Sequence, residues 1–505
     1  MNMPLIRTDW VERHALYTPQ APALEWVPTG KQWTYEALNR LGNQIARFLK
    51  EKWGLHPGDR IAILGENTAE HVHLFVAAQK GGFILLPLNF RLTVPELQFM
   101  LDDGEPAMLF YTPSQEEKAQ ALCTRAQRLP IAALSEAKTL PDAPSGYRAH
   151  QEDPVMILYT SGTTGTPKGA IITHQMLFWN SINTELRLQL TAADISFNAA
   201  PFYHTGGWNV LLTPFLHHGA FTLLLDRFDP GHLLRLCDER GITILWGVPI
   251  MLKMMADHPL FHQITLETVR YAVVGGEAMP EPLIRIWQEK GVPIRQGFGL
   301  TEVGPNCFSL PERDALRKIG SIGFPNFYLD VRLVDEHDRD VPAHTPGELI
   351  LRGPVVTPGY WRNPEATREA IRDGWFYTGD VLQMDEEGYY YVVGRKKDMY
   401  ISGGENVYPA EVEAAFYTHP AIAQVAVVGV PDARWGETGM AFVVLKPGMS
   451  VDEAELRAYI EKRLARYKQP RYILFRESLP LGHSGKILKH ALKKEALQWL
   501  NAHAP

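Results

Sequence analysis

The first third of the chain alternates amphipathic stretches with short apolar runs. Residues 35–50 and 70–79 carry apolar side chains at helical spacing, whereas residues 61–64 and 83–88 are short and mainly apolar. Such alternation is typical of parallel strands joined by helical crossovers. Similar apolar runs recur at residues 107–111, 155–159, 221–225, 242–246 and 271–274. The pattern therefore predicts an α/β fold over most of the chain.

Beyond about residue 330 the pattern becomes a two-residue alternation of apolar and polar positions. Segments 331–334, 347–351 and 389–393 follow it and are separated by turn residues. This period is typical of antiparallel strands and hairpins. We therefore predict a β-rich subdomain in this part of the chain.

A charged run, RKKD at residues 395–398, precedes a shorter unit. We place a domain boundary at Lys397, between an N-terminal domain of residues 1–396 and a small α+β C-terminal domain of residues 397–505. The elements predicted in the small domain are helices over residues 409–417 and 451–466 and strands over residues 425–430 and 441–445.

Size and charge narrow the class of protein. With 505 residues, 45% of them hydrophobic, the chain can bury a large core and exceeds the usual size of one domain. Its net charge of -7 comes from 57 acidic and 50 basic residues that form no basic face. Nucleic acid is therefore not an expected partner.

The cysteines and the apolar stretches of the sequence indicate the cellular compartment of the protein. The chain has 3 cysteines, far apart in sequence, which argues against a disulfide framework and a cysteine-built metal site. Residues 1–10 lack the apolar core of a signal peptide, and stretches such as 209–216 are too short to cross a bilayer. We expect a cytoplasmic protein without a transmembrane segment. Its oligomeric state stays open, a homo-oligomer included.

A loop rich in glycine and hydroxyl side chains follows the apolar run at residues 155–159 and reads YTSGTTGTPKG over residues 159–169. Glycines let backbone N–H groups turn toward a polyphosphate, hydroxyls add donors, and a lysine adds a mobile charge. We predict phosphate binding, against the plainer alternative of a polar surface turn. Gly169 follows the lysine where a Walker loop needs serine or threonine, which disfavours a P-loop NTPase. The predicted contacts are Thr160, Ser161, Gly162, Thr163, Thr164, Gly165 and Lys168.

Further motifs stand in an order similar to that of one known superfamily. They are PFYH at 201–204, GGEAMP at 275–280, QGFGLTE at 296–302, YTGD at 377–380, GRKKD at 394–398 and SGKIL at 484–488. With the glycine-rich loop, they make nearly the whole chain resemble the adenylate-forming superfamily of acyl-CoA synthetases, firefly luciferase and peptide-synthetase adenylation domains. The run ISGGENVYPAE at 401–411 most resembles bacterial fatty-acyl-CoA and aryl-CoA ligases.

That resemblance implies an acid-CoA ligase that uses ATP, Mg²⁺ and coenzyme A. Such an enzyme joins a carboxylic acid to AMP with release of pyrophosphate and then transfers the acyl group to the CoA thiol. The resemblance also implies a large N-terminal domain for ATP and acid, and a mobile C-terminal domain that carries the adenylation lysine.

Roles in the first half-reaction follow from the resemblance. Lys486 would bridge the carboxylate and the α-phosphate, two anions that need a cation between them. Glu302, with Thr160 as a second ligand, would hold Mg²⁺, because a hard cation prefers oxygen. Thr301 would donate to the α-phosphate. His204 would gate the passage between the acid and the phosphates.

The adenine contacts follow in the same way. Phe298 would lie against the adenine, with Gly299 beside it in the motif. The backbone of Gly276, Glu277 and Ala278 would border the adenine and the acyl pocket.

The resemblance assigns the ribose and the CoA to residues near the predicted boundary. Asp380 would accept hydrogen bonds from the ribose hydroxyls, assisted by Arg395. Lys397 would be the hinge at which the small domain changes orientation between the two half-reactions. The residues offered to CoA after that change would be Gly403, Gly404 and Asn406.

Each of these assignments has a plainer alternative. A lysine such as Lys486 is usually solvated, a histidine such as His204 is more often structural, and a basic run is usually a solvated face. Glu302 could cap a helix, and Asp380 could end a surface turn. The motifs around these residues favour the functional roles.

Two other functions stay open. A peptide-synthetase adenylation domain would load a carrier protein and a luciferase would oxidise its adenylate, so thioester formation with free CoA separates them from a CoA ligase. A nucleotide sensor without turnover is the second alternative, which Lys486, Glu302 and Asp380 disfavour. Pyrophosphate release across a panel of acids tests it.

The acid is predicted from TGGWN at residues 205–209. Two glycines leave room beside the backbone, and Trp208 is the predicted wall of the acyl pocket. We favour a medium- or longer-chain fatty acid, with an aromatic acid of the ferulate, coumarate or succinylbenzoate type as the alternative. The plainer interpretation of Trp208 is a core residue behind the pocket.

Lys486→Ala is expected to abolish adenylation but to spare thioester formation from a supplied acyl-adenylate, because the lysine acts only in the first half-reaction. Loss of one transition-state charge contact costs about 3 kcal/mol or more, roughly a hundredfold in rate. Separate assays of pyrophosphate release and of thioester formation measure the two halves. Equal loss of both would contradict the assignment.

Overall fold

The computed structural model describes residues 6–160, 167–481 and 487–503. The helices are α1 (Trp10–Tyr17), α2 (Tyr35–Trp53), α3 (Ala69–Gly81), α4 (Val94–Gly104), α5 (Glu116–Ala121), α6 (His174–Leu188), α7 (Thr205–Asn209), α8 (Leu212–His218), α9 (Pro230–Arg240), α10 (Pro249–Ala256), α11 (Glu281–Glu289), α12 (Pro364–Ala370), α13 (Pro409–Tyr417), α14 (Glu453–Glu461) and α15 (Lys489–His503). None of the helices in the described part of the chain is long and apolar enough to span a membrane.

The strands of the described residues are β1 (Pro22–Trp26), β2 (Lys31–Thr34), β3 (Arg60–Leu64), β4 (Ile84–Leu88), β5 (Met108–Tyr111), β6 (Gln127–Pro130), β7 (Pro154–Thr160), β8 (Lys168–Thr173), β9 (Ile195–Asn198), β10 (Phe221–Leu224), β11 (Ile244–Gly247), β12 (Tyr271–Val274), β13 (Ile294–Leu300), β14 (Gly304–Ser309), β15 (Ser321–Pro325), β16 (Asp330–Val334), β17 (Gly347–Arg352), β18 (Ile371–Arg372), β19 (Trp375–Met384), β20 (Tyr390–Arg395), β21 (Tyr400–Ser402), β22 (Glu405–Val407), β23 (Ile422–Asp432), β24 (Gly436–Leu445) and β25 (Tyr472–Arg476).

The chain forms two compact units. The first comprises Met1–Val331, Ile350–Tyr377 and Gly388–Tyr390, and the second comprises Arg332–Leu349, Thr378–Glu387 and Tyr391–Pro505. Four of the five limits between the units fall inside strands β16, β17, β19 and β20, and the fifth lies between β19 and β20. The predicted domain boundary at Lys397 stays a prediction.

A six-stranded sheet in the first unit has the order β6-β5-β3-β4-β7-β8. All its neighbouring strands are parallel except β7 and β8, which form an antiparallel pair. The α/β fold predicted from the alternating pattern is confirmed. Helix α3 is buried along almost its whole length, which explains why its sequence is apolar on more than one face.

Local sequence signals set the ends of helix α2. The Thr34 hydroxyl accepts a hydrogen bond from the backbone N–H of Ala37, as a helix N-cap does. Gly54 ends the helix in the left-handed region at φ 71°. The helix therefore runs to Trp53, three residues beyond the predicted end at residue 50.

Two further sheets complete the first unit. Strands β2-β1-β10-β9 form one of them, and β1, β10 and β9 are parallel to one another. In the other, β11, β12 and β13 are parallel, β14 is antiparallel to β13, and β15 is antiparallel to β14. The motif QGFGLTE lies on β13 and continues into the 3₁₀ turn before β14.

The second unit is built on a long antiparallel hairpin. Strands β23 and β24 pair along their whole length, and β25 is parallel to β24. Helix α14 is shorter than the predicted helix over residues 451–466. Asp452 is the N-cap and accepts a hydrogen bond from Glu455 N, and the helix ends at Glu461, before a separate 3₁₀ turn at Arg466–Lys468.

Trp208 lies in the core of the first unit. Its side chain has 0% exposure, its ring packs at 4.3 Å from Phe202 and 5.4 Å from Phe75, and its Nε1 donates to Phe202 O at 2.6 Å. This supports the core interpretation over the predicted role as the wall of an acyl pocket.

Trp208→Ala is expected to lower the free energy of unfolding by about 3–5 kcal/mol, because a buried indole leaves a cavity when it is removed. Phe327→Ala is the matched control, since the Phe327 side chain is 73% exposed. Denaturant unfolding of both variants measures the difference. A Trp208→Ala protein as stable as the control would contradict the core position.

Candidate active site

The predicted phosphate loop begins and ends on the paired strands β7 and β8. Thr160 and Lys168 are cross-strand partners at the end of this pair. In a parallel sheet, ligands usually bind at the carboxyl ends of the strands, and β7 ends at Thr160. Ser161, Gly162, Thr163, Thr164 and Gly165 lie outside the described residues.

Glu302 joins this strand end to two other segments. Its Oε1 accepts hydrogen bonds from Thr160 Oγ1 at 3.3 Å and from Tyr360 OH at 3.1 Å. Its backbone oxygen accepts a hydrogen bond from Thr357 N at 2.7 Å. The structure thus brings together Thr160 and Glu302, the two residues predicted to hold the metal.

The segment that carries Tyr360 runs beside strand β8. Ile171 N donates to Gly359 O at 3.1 Å and Trp361 N donates to Gly169 O at 2.7 Å. These bonds bring Tyr360 close to Lys168, whose Nζ lies over the tyrosine ring at 5.3 Å from its centre. Tyr360 could not be predicted as a site residue, because it lies 58 positions from Glu302 in the sequence and in none of the recognised motifs.

These oxygens fit a hard divalent cation. A carboxylate beside two hydroxyl groups supplies the ligands that Mg²⁺ prefers, and a nucleotide-bound Mg²⁺ needs only one or two carboxylates besides phosphate oxygens. In the described ranges there is no group of three or more His, Cys, Asp or Glu side chains that could hold a metal alone. The site suits a cation that arrives with phosphates.

Gln296 holds the GGEAMP loop against strand β13. Its Nε2 donates to Glu277 O at 3.0 Å, and its Oε1 accepts from Met279 N at 3.1 Å. Gly276 has φ 84°, a conformation that favours glycine. The predicted adenine-bordering residues Gly276, Glu277 and Ala278 are exposed, so their backbone is open to a ligand.

The predicted nucleotide contacts on β13 and its turn lie in one short stretch. Phe298 is half-buried and meets Phe308 edge-on at 5.9 Å, and Thr301 begins a 3₁₀ turn that also contains Glu302. A Cβ on Gly299 would lie 2.3 Å from the backbone carbon of Pro305. Only glycine fits there. Gly299 therefore allows the turn that carries Thr301 and Glu302.

His204 caps the short helix α7. Gly207 N donates to His204 O at 3.1 Å, and the imidazole lies 4.6 Å from the Tyr203 ring. Burial raises the pKa of Tyr203, more than Arg91 lowers it, so the phenol beside His204 stays neutral.

Side-chain amides fix the position of helix α7. Asn67 Nδ2 donates to Ala200 O at 2.8 Å, and Asn198 Nδ2 donates to Gly207 O at 2.7 Å. Asn180 Nδ2 donates to Asn209 O at 2.7 Å. The backbone from Ala200 to the end of helix α7 is therefore held at three points by asparagine side chains, a feature with no recognisable signal in the sequence.

The buried thiols of Cys307 and Cys237 are not suited to nucleophilic chemistry. Burial raises the pKa of Cys307 to about 12 and that of Cys237 to about 12. Both thiols are thus protonated at neutral pH and poor nucleophiles.

In the second unit, Asp380 and Arg395 form an ion pair. Arg395 Nε lies 2.5 Å from Asp380 Oδ1, and the Asp380 side chain is 5% exposed whereas that of Arg395 is 40% exposed. Asp380 N donates to Thr378 Oγ1 at 3.0 Å, which fixes the carboxylate on strand β19. The structure brings together the two residues predicted to contact the ribose.

The predicted hinge and CoA-facing residues lie on exposed turns. Lys397 is exposed in a 3₁₀ turn over Lys396–Asp398, and Asn406 is exposed on strand β22. Gly403 and Gly404 join β21 to β22 with φ 61° and 87°. These are left-handed conformations that favour glycine.

Lys486 lies outside the described residues. The residues flanking its segment, Leu481 and Ile487, form an antiparallel bridge, and Leu488 N donates to Pro480 O at 2.9 Å. The described ends of the segment are thus held close together, beside the start of helix α15.

Comparison with known proteins agrees with this geometry. A family model described as "AMP-binding enzyme" matches residues 11–361, and one described as "AMP-binding enzyme C-terminal domain" matches residues 411–486. The chain belongs to this family of adenylate-forming enzymes. Within it, the chain is an AMP-forming acid-CoA ligase, a class that uses ATP, Mg²⁺ and CoA.

Individual relatives match over nearly the full length of both chains. A feruloyl-CoA synthase from Amycolatopsis sp is 40% identical over 96% of this chain and 98% of its own. The long-chain-fatty-acid-CoA ligase FadD13 from Mycobacterium tuberculosis is 35% identical over 96% of this chain and 98% of its own. The crystal structure of ATP-bound MatB from Rhodopseudomonas palustris matches with a TM-score of 0.90 and 31% identity, over 97% of this chain and 99% of that chain.

Tyr360→Phe is expected to raise the Mg²⁺ concentration needed for half-maximal adenylation roughly tenfold, because the phenol orients the Glu302 carboxylate. Glu302→Gln should raise it further, since it removes the carboxylate charge itself. Mg²⁺ titration of pyrophosphate release at saturating ATP measures both. Tyr459→Phe, on the exposed side of the second unit, is the control. An unchanged Mg²⁺ requirement in Tyr360→Phe would contradict the role of Tyr360.

Proposed function

We propose that the acid activated by this ligase is an arylpropenoic acid of the ferulate type. The observation that carries the proposal is the full-length similarity, at 40% identity, to a feruloyl-CoA synthase. The chain-length argument for a medium-chain fatty acid relied on Trp208, and that side chain is buried among Phe75 and Phe202.

Space beside His204 supports a planar substrate. Gly206 is half-buried, and a Cβ there would lie 3.4 Å from the ring edge of Trp246. A glycine next to an indole leaves a slot with a flat aromatic wall, which suits stacking or edge contact with an aryl group. Gly207 differs, because a Cβ there would lie 2.5 Å from the backbone oxygen of Pro201. The two glycines thus have separate roles, one for space and one for packing.

The proposed adenylation step uses the oxygen ligands beside β7 and the predicted adenylation lysine. Glu302 and Thr160 would hold Mg²⁺, which would offset phosphate charge. Thr301 donates to the α-phosphate, and Lys486 neutralises the carboxylate oxygen as it attacks that phosphorus. The bond from the α-phosphorus to the bridging oxygen breaks, and pyrophosphate leaves. His204 separates the acid from the phosphates until both are bound.

The proposed thioester step uses the second unit. Asp380 accepts hydrogen bonds from the ribose hydroxyls, and the ion pair with Arg395 holds its carboxylate in a fixed orientation. Lys397 is the hinge, and Gly403, Gly404 and Asn406 form the surface offered to CoA. The thiol sulfur bonds to the acyl carbon, AMP leaves, and the thiol proton passes to solvent or AMP.

A fatty acid is the second candidate substrate. It is supported by the 35% identity to the fatty-acid ligase FadD13 over nearly the full length. The two candidates differ in shape, since an alkyl chain is flexible and an arylpropenoate is planar and rigid.

We expect kcat/KM for ferulate and 4-hydroxycinnamate to exceed that for octanoate and dodecanoate by about tenfold or more, since a rigid planar acid loses less entropy in a preformed slot. Thioester formation from each acid with ATP, Mg²⁺ and CoA measures this. Activity on the fatty acids alone would reverse the proposal and establish the second candidate.

The variant Gly206→Leu tests the proposed slot in the same assay. A side chain there fills the slot beside Trp246, so activity on ferulate should fall more than activity on a small acid such as acrylate or propionate. Gly206→Ala is the conservative partner, because its Cβ makes only ordinary contact with Trp246. An equal loss on all acids in Gly206→Leu would place Gly206 outside the acyl site.

A further inference from the structure

The carboxyl end of helix α4 contacts the strand end that carries Thr160. Tyr159 OH donates to Asp103 Oδ2 at 2.6 Å. Asp103 stands next to the last residue of α4, and Tyr159 immediately precedes Thr160 on β7. The hydroxyl groups of Thr160 and Tyr360 are the two that donate to Glu302 Oε1 and, with it, form the candidate cation site. One hydrogen bond therefore links the end of α4 to the β7 side of this site.

The same helix end contacts the segment that carries Tyr360. Arg362, two residues beyond Tyr360, pairs through NH1 with Glu105 Oε1 at 2.8 Å. Arg60 NH2 donates to Glu105 O at 2.7 Å, and the Arg60 guanidinium lies 5.6 Å from the centre of the Trp361 ring. Both hydroxyl groups of the candidate cation site are thus tied, through neighbouring residues, to the end of α4.

The ion pair between Arg362 and Glu105 is a defined but weak link. Glu105 has φ 42° and Arg362 has φ 50°, a left-handed conformation that strains residues other than glycine. Such strain persists where the surrounding structure fixes the chain. The two side chains are 50% and 61% exposed, so solvent screens their charges. This ion pair alone is therefore too weak to fix the site.

The hydrogen bond from Tyr159 is better shielded. Tyr159 and Asp103 are both half-buried, and Tyr159 OH also lies 3.3 Å from Met100 O inside helix α4. Two glycines make room for the ring: a Cβ on Gly169 would lie 3.3 Å from Tyr159 Cζ, and a Cβ on Gly104 would lie 3.6 Å from the hydroxyl oxygen. Because a shielded bond to a carboxylate is stronger than an exposed ion pair, Tyr159 is the main link to α4.

The geometry of a strand explains how Tyr159 can control Thr160. Successive side chains of a strand point to opposite faces, so Tyr159 and Thr160 leave β7 on opposite sides. A rotation of the chain at Tyr159 therefore turns Thr160 away from Glu302. Thr160 Oγ1 lies 3.3 Å from Glu302 Oε1, which is longer than usual for two hydrogen-bonded oxygen atoms. A small rotation is thus enough to break this contact.

We propose that Tyr159 is a positioning residue for adenylation: its hydrogen bond to Asp103 fixes the end of β7, so that Thr160 and Glu302 together present their oxygens to nucleotide-bound Mg²⁺. Tyr159 acts through Thr160 and is not itself a ligand. The inference rests on the proposed role of Thr160 and Glu302 in the adenylation step. It adds the end of α4, which lies in none of the recognised motifs, to the structure that supports the site.

The test measures the dissociation constant of ATP by isothermal titration, once with Mg²⁺ and once with EDTA. We expect Tyr159→Phe to raise this constant about fivefold or more with Mg²⁺ and to leave it unchanged with EDTA, because groups that orient metal ligands act on the metal-bound form. In the pyrophosphate assay, the Mg²⁺ concentration for half-maximal rate should rise by a similar factor. The kcat at saturating Mg²⁺ should change by less than about twofold.

Tyr147→Phe is the matched control. Tyr147 is also half-buried, and its OH donates to Asp153 Oδ2 at 2.8 Å. Asp153 immediately precedes β7, so this bond holds the start of the same strand, about 20 Å from Thr160. Each variant loses one hydrogen bond from tyrosine to aspartate, so their denaturation midpoints should fall by similar amounts. The Mg²⁺-dependent change is expected in Tyr159→Phe alone.

Substitutions of Asp103 test the same hydrogen bond from its other side. Asp103→Asn keeps an oxygen that accepts from Tyr159 and should retain the wild-type response to Mg²⁺. Asp103→Ala should reproduce the effect of Tyr159→Phe. The double variant should bind ATP with Mg²⁺ no more weakly than either single variant, since both substitutions remove the same bond.

The outcomes separate this proposal from the metal assignment on which it rests. An unchanged Mg²⁺ response in Tyr159→Phe, or an equal change in Tyr147→Phe, overturns the positioning role. If Glu302→Gln changes the Mg²⁺ dependence of ATP binding and Tyr159→Phe does not, only the role of Tyr159 is wrong. If Glu302→Gln leaves that dependence unchanged, the metal assignment is wrong and the positioning role is overturned with it.

Discussion

The candidate active site depends on how the Glu302 carboxylate is held. One of its oxygens accepts hydrogen bonds from Thr160 at the end of β7 and from Tyr360, and its backbone accepts from Thr357. Three segments far apart in sequence thus meet at one side chain. An acceptor surrounded by hydroxyl donors is pre-organised for a cation without the cost of gathering ligands from flexible loops. This junction links the end of β7, the segment that carries Tyr360 and the turn after β13.

Side-chain hydrogen bonds also hold the backbone around helix α7 in place. Side-chain amides of asparagines bond backbone carbonyls along and beside this five-residue helix, which is too short to be stable alone. These bonds therefore hold the backbone that follows His204.

The second unit contributes a different kind of constraint. Its core is the β23–β24 hairpin covered by helices, whereas its predicted functional residues lie on exposed turns or, for Asp380, in a buried ion pair. A carboxylate as buried as Asp380 needs a charged partner, and Arg395 supplies it. The rigid core and the exposed glycine turn at Gly403 and Gly404 serve separate purposes, stability and close approach of a ligand.

The sequence by itself determined the α/β class, the parallel strands and most element positions, because hydrophobic periodicity directly reflects which face is buried. It also supplied the candidate site residues that stand in contiguous motifs, such as Glu302, Asp380 and Arg395, and their roles stay predictions. Helix ends at Trp53 and Glu461 were less well predicted, because capping and competing turns act over single residues.

Only the tertiary structure decided which distant side chains complete the site. The contact of Tyr360 with Glu302 has no spacing signal, since it arises where separate segments of the chain meet. Trp208 was ambiguous for the same reason: an indole beside two glycines can face a ligand or the core, and the packing of Phe75 and Phe202 places it in the core. Periodicity along one chain shows that a residue is buried, but not what it is buried against.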